Sequence, residues 1–246
     1  MPITTEELIK EACPLIRDHG WAYYFAPTTA ARAEKLGLDL LSFYVMGRGG
    51  VLGDVEWPVV QSVFAYFKPD LIRDAWTAGK AIIDPRTAGR AYVESCHEYG
   101  RLKLAGVDGL DAFCNAAAAV NDAVEVAGLT LYAAARSEPL AEDAPARAMQ
   151  LVAVLREFRG SAHLVALTAS GVSAKEAHYI NRPEAMALFG WSEGEEPAVT
   201  DEHRRLVKEA EALTDRLVTP AYSVLDEDGR AAMLDGIRAV SAALTS

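Results

Sequence analysis

The sequence predicts an all-α protein, a multi-helix bundle with a helix-turn-helix-like corner. Three observations lead there. Apolar residues recur at three- and four-residue steps along most of the chain, and no alternating run of strand length occurs. Helix punctuation also returns throughout, with Ser, Thr or Asp ahead of the apolar stripes and Gly or Pro behind them.

From the N-terminus, Thr4-Thr5-Glu6-Glu7 opens a helix that Pro14 should sit near the start of or interrupt. Thr28 is placed to cap a helix through Leu36, which Gly37 ends. Between Trp21 and Trp76 lie eleven of the twenty aromatic residues, a density that suits either a core or the wall of an apolar pocket. The same region holds GRGGVLGD, Gly47 to Asp54. There Arg48 with Gly49 and Gly50 reads as a loop whose amides and guanidinium could converge on an anion; a plain connection between helices is the other reading. The spacing is neither a Walker loop nor GxGxxG.

Ala81 to Leu104, Leu110 to Val126 and Pro145 to Ser170 read as Ala-rich helices. The polar segment SEPLAEDAP, near 137–145, is the one place where a subdivision could fall. Its length is that of an ordinary loop, so residues 1–246 read as a single helical domain.

The long helix ends near Ser170 with Gly171 behind it, and Ser173 stands three residues before Glu176 at capping-box spacing. A second helix therefore starts at once. Thr200 caps a further helix with the stripe Leu206, Ala210, Leu213 and Leu217, which Pro220 should end, and a last helix begins near Asp226.

A hydrophobic share of 51% with 24% charged residues belongs to a soluble globular chain, and no signal peptide or spanning run is evident. The expectation is cytoplasmic, with no membrane partner. The net charge of −11 and the absence of a long basic run count against nucleic acid as a partner. Cys13, Cys96 and Cys114 fit neither a disulfide framework nor a zinc pattern and read as buried thiols.

The densest set of chemically capable side chains lies between Glu157 and Pro183. Arg156, Arg159, Gly160 and His163 fall at steps that let them share one helix face, with Glu157 beside it. A histidine with an arginine one turn back can bind and polarise an acidic or carbonyl ligand, although His163 in SAHLVAL also reads as a satisfied core residue. His178 could approach His163 across the corner as a metal- or heme-ligating pair, but no HExxH or CxxC supports that, and no metal or cofactor is assigned.

The candidate ligand-binding residues are thus Arg48, Gly49, Gly50, Glu157, Arg159, His163 and His178. The leading reading is a small-molecule-binding helical protein, with room for an enzymatic role, whose aromatic pocket is polarised by Arg and His. The alternatives are a DNA-binding regulator reading through Ser173 to Arg182, and a structural or protein-interaction role.

The segments YYFAPTTAARAEKLGL, GRGGVLGDVEWPVVQSVFAYFKP, EFRGSAHLVALTASG, INRPEAMALFGW and EALTDRLVTPAY, in that order, resemble an uncharacterised actinobacterial family labelled helix-turn-helix. The resemblance covers most of the chain. It implies a winged-helix-like segment between the motifs matching Gly190-Trp191 and Thr214-Asp215. Here eight residues separate Trp191 from Thr200, so that segment is expected to be shortened.

Overall fold

The computed structural model describes residues 2–245, and among them there are helices and no strand. The helices are α1 (Thr5–His19), α2 (Pro27–Lys35), α3 (Leu40–Gly50), α4 (Trp57–Val63), α5 (Pro69–Lys80), α6 (Pro85–Lys103), α7 (Leu110–Asp122), α8 (Thr130–Arg136), α9 (Ala144–Ala169), α10 (Ala174–Asn181), α11 (Asp201–Tyr222) and α12 (Glu227–Thr245). A 3-10 turn over Pro183–Phe189 follows α10.

The centre is α9. Asp143 caps it by accepting from the Ala146 amide at 3.1 Å, and Pro145 stands in its first turn, where a missing N–H costs nothing. It packs against α1, α6, α7, α8, α10 and α11. Its first two thirds, from Ala148 to Ala162, lie in the main core with Leu8, Ile16, Phe43, Trp76, Tyr92, Phe113 and Tyr222. Its last turns enter a second, smaller core of Ala166, Leu167, Val172, Ala177, Val207 and Ala210 shared with α10 and α11. Gly171, at φ 75°, turns the chain out of α9, and the Ser173–Glu176 capping box starts α10, as the spacing predicts.

The segment 137–145 is anchored rather than loose. The buried Gln150 of α9 accepts from the Ala141 amide at 3.1 Å and donates to the Pro139 carbonyl at 3.0 Å, and buried Glu138 pairs with Arg86 at 2.7 Å. Cys13, Cys96 and Cys114 are buried free thiols. No helix among the described residues is long and apolar enough to cross a membrane.

Several local readings are corrected. α1 runs through Pro14, whose side is exposed, and α11 runs through Pro220. α2 is capped by Ala26 and begins at Pro27, so Thr28 falls inside its first turn. α6 begins at Pro85, capped by Asp84, instead of at Ala81. The short α8 was not predicted, because seven residues are too few to show a period.

The largest correction concerns Gly47 to Gly50. These residues close α3 as helix, and none of them has positive φ. A Cβ on Gly47 would overlap the Tyr92 ring of α6, and one on Gly50 would overlap the Pro85 carbonyl oxygen. The glycines exist for a close helix crossing, so Gly49 and Gly50 form no anion-cradling loop.

Gly50→Ala should therefore destabilise the protein by about 2–3 kcal/mol through overpacking against backbone. Urea unfolding followed by circular dichroism reads this directly, and a change below ~0.5 kcal/mol would contradict the crossing geometry.

Candidate functional site

A cleft of about 500 Å³ opens where α9 passes from the large core to the small one. Its floor is the exposed face of α9 from Arg156 to Leu164. Its walls come from α3, the α4–α5 corner, α10, the 3-10 turn and α11.

Glu157 sits at the deep end, its side chain only 7% exposed beside an Arg48 side chain 14% exposed. Arg48 Nε donates to Glu157 Oε1 and Nη2 to Oε2, both at 2.7 Å, so the fork meets both carboxylate oxygens. The Tyr24 hydroxyl donates to Oε1 at 2.9 Å. Arg48 Nη1 donates to the Tyr44 hydroxyl at 3.1 Å, and the guanidinium lies 4.6 Å from the Phe64 ring centroid.

Burial alone would push the Glu157 carboxyl up. Arg48, with its charge and hydrogen bonds, then Arg156 and Tyr24 outweigh it and hold the group at about 2. Arg156 is less well served: Nη1 reaches Oε1 at 3.3 Å and the Tyr24 oxygen at 3.2 Å, while Nε is buried without a partner.

Along the wall, aromatic rings form a continuous path. Arg48 covers Phe64, whose centroid is 5.9 Å from Phe67. Phe67 is 4.3 Å from Phe189, and Phe189 is 4.1 Å from the His178 ring. Tyr66 flanks His178 at 5.9 Å, and burial pushes its phenol pKa up.

The segment after α10 holds this wall in place. Trp191 Nε1 donates to the Tyr66 carbonyl at 2.9 Å, the Lys68 amide donates to the Phe189 carbonyl at 2.9 Å, and Lys68 Nζ pairs with Glu195 at 2.8 Å.

Burial holds both cleft histidines below the usual imidazole range. Burial lowers the His163 pKa, and Arg159 adds to this against the pull of Glu211. Thr214 spends its one proton on the Ala210 carbonyl at 2.7 Å, so its oxygen accepts from His163 Nδ1 at 2.9 Å. The neutral ring therefore carries its lone pair on Nε2, 3.7 Å from Glu211 Oε1. Burial likewise lowers the His178 pKa, against a hydrogen bond with the Ala185 backbone, and Arg182 lowers it further. His178, 7% exposed, leaves Nε2 without a partner.

Of the residues predicted from sequence, Arg48, Glu157, Arg159, His163 and His178 line this one cleft, and Gly49 and Gly50 do not. Arg159 is neutralised by Glu211 at 2.8 Å and Asp215 at 3.0 Å on α11. Arg156, Gly160, Tyr66, Phe189 and Arg182 also line the cleft and were not named as binding residues. The three- and four-residue steps already set Arg156 and Gly160 on the face of Arg159 and His163, without marking either as a binding residue. Among the described residues no group of three or more His, Cys, Asp or Glu could hold a metal ion.

Fold and site define an all-helical protein with a cleft floored by one long helix and closed at its deep end by a buried ion pair. Residues 15–246 match a family described as a helix-turn-helix family, and the chain belongs to it. No curated protein and no solved structure matches the chain.

Because the folded value of Glu157 lies below the usual ~4.3, its contribution to stability is complete above the usual value and is lost as pH falls toward 2. Glu157→Gln should lower stability at neutral pH by about 3–5 kcal/mol, since it leaves two arginines facing no carboxylate. It should also flatten the acid limb between about pH 4.5 and pH 2 relative to the parent. Urea midpoints measured across that range test this; parallel acid limbs would refute it.

Proposed function

We propose that the protein binds a small molecule in this cleft. The carrying observation is a contrast of charge. Arg17, Arg48, Arg156, Arg159 and Arg182 face Glu157 and Glu211 in the cleft lining, while the whole chain carries −11. A local cationic surplus against aromatic rings, in a volume within the usual ~300–1,000 Å³ of ligand sites, suits a small amphipathic ligand. Arg48 and Glu157 fix the deep end, the rings supply the apolar wall, and His163 and His178 offer neutral acceptors.

A second reading follows from the family: direct DNA reading by the α9–turn–α10 corner. The geometry favours it less. Of the eight residues of α10 only Asn181 is exposed, Ala177 and His178 are buried, and Lys175 lies 3.9 Å over the Trp191 ring. Residues 191–200 form no strand, so a shortened segment without a β-wing is part of the same proposal.

A fragment screen by amide-detected NMR should give shifts concentrated on Tyr66, Gly160, Leu164 and His178. Absence of any binder, or shifts scattered away from the cleft, would remove the small-molecule reading. In a mobility-shift assay at about 150 mM salt no sequence-selective complex should form at nanomolar protein. Tight selective binding would establish the second reading in its place.

A further inference from the structure

Resting on the small-molecule reading, we propose that the ligand is an aromatic anion whose ring lies on the bare backbone of Gly160 and whose anionic group is held by Arg156.

The first observation is a glycine with no packing reason. Gly160 stands inside the 26-residue α9, with no positive φ, and a Cβ added there meets nothing within 4 Å. Elsewhere the interior helical glycines touch neighbours: Gly79 meets Met46, Gly100 meets the Pro145 carbonyl and Gly236 meets Phe113. A glycine inside a helix costs about 0.5–1 kcal/mol relative to alanine, and Gly160 recovers none of it from close helix packing. What the missing side chain does provide is a flat strip of exposed backbone on the cleft floor. Arg156 lies one turn before it and Leu164 one turn after, on the same face.

The second observation is charge left over at the adjacent turn. Arg48 takes both oxygens of Glu157, Arg159 has two carboxylates of its own, and Arg17 has Asp18 at 2.8 Å. Arg156 shares one oxygen of Glu157 through a single long contact from Nη1, and neither its Nε nor its Nη2 donates to any described residue. Tyr24 holds its guanidinium in place at 5.4 Å from the ring centroid. A positioned guanidinium whose Nη2 donates to no described residue can donate to an oxygen of a carboxylate, sulfonate or phosphoryl group. Arg182 carries no ion pair among the described residues, and its charge reaches the cleft at His178. An anion lying between these two arginines meets no fully compensated partner.

The aromatic part follows from the opposite wall, where Phe64, Phe67, Phe189 and the His178 ring succeed one another. A flat ring on the strip at Gly160 covers backbone that an alkyl chain would cover less completely.

The test compares two dyes that differ in one group. 8-Anilinonaphthalene-1-sulfonate carries a sulfonate; N-phenyl-1-naphthylamine has the same aromatic body without it. The sulfonate dye should bind the wild-type protein at one saturable site at least tenfold more tightly than the neutral dye, the scale of one charge-assisted pair. Arg156→Gln should remove most of that difference by weakening the sulfonate dye alone. Gly160→Leu should abolish binding of both dyes, while Gly160→Ala raises Tm by a few degrees, as expected for an unconstrained helical position.

Equal affinity of the two dyes for the wild-type protein would overturn the anionic class without recourse to any variant. A fall in Tm for Gly160→Ala would give the glycine a packing role and overturn the resting place. If neither dye binds while NMR fragments still occupy the cleft, this inference fails and the small-molecule reading stands. If fragments do not bind either, both fall together.

Discussion

The buried carboxylate of Glu157 is the constraint on which the rest of the site depends. A lone carboxylate at that depth would carry a desolvation cost large enough to keep it protonated. It is ionised because three groups from three parts of the chain reach it: Tyr24 from the turn before α2, Arg48 from the end of α3 and Arg156 from its own helix. Each arrival fixes a backbone. α3 can deliver Arg48 because Gly47 and Gly50 let it lie against α6 at backbone distance. The packing of two helices and the charge state of a third are thus one problem. The asymmetry that results, with Arg48 bidentate and Arg156 barely engaged, leaves a cation at the cleft floor.

The aromatic wall depends on a different device. Phe189 reaches Phe67 and His178 because the 3-10 turn and Trp191 fold back onto the α4–α5 corner, held by the Tyr66 carbonyl and the Lys68–Glu195 pair. Following a helix-turn-helix corner with such a clamp turns α10 toward its own protein. Ala177 and His178 face inward, and the capping box holds Glu176 on Ser173 at the start of α10. The corner outline is real, but its inner face is occupied.

How much of this was legible in the sequence follows from the range of the forces involved. Caps and helix ends are local, so Ser173–Glu176, Gly171, Thr200 and the span of α9 were readable to within a residue or two. The face shared by Arg159 and His163 was readable for the same reason. The glycines at 47–50 were misread because a close crossing and a phosphate-type loop demand the same residue, and only the distant Tyr92 and Pro85 distinguish them. Which arginine would be neutralised was also not local: Glu211 and Asp215, some fifty residues on, take Arg159, while Arg156 is left without a carboxylate of its own. The tautomer of His163 depends on Thr214, and the sequence gives no hint of that pairing.

Net charge is a global quantity, and it bears on a polyanion differently from a single anion. A duplex presents many phosphates over tens of ångströms, so a protein of −11 repels it unless a broad face is basic. An anion inside a cleft interacts mainly with charges a few ångströms away, behind low-dielectric walls, while exposed carboxylates beyond about 10 Å are screened by salt. Glu211 and Asp215 are close, but they are already bound to Arg159. On the proposed small-molecule reading, the acidic surface works against a polyanion while the arginines lining the cleft still meet a single small anion at close range.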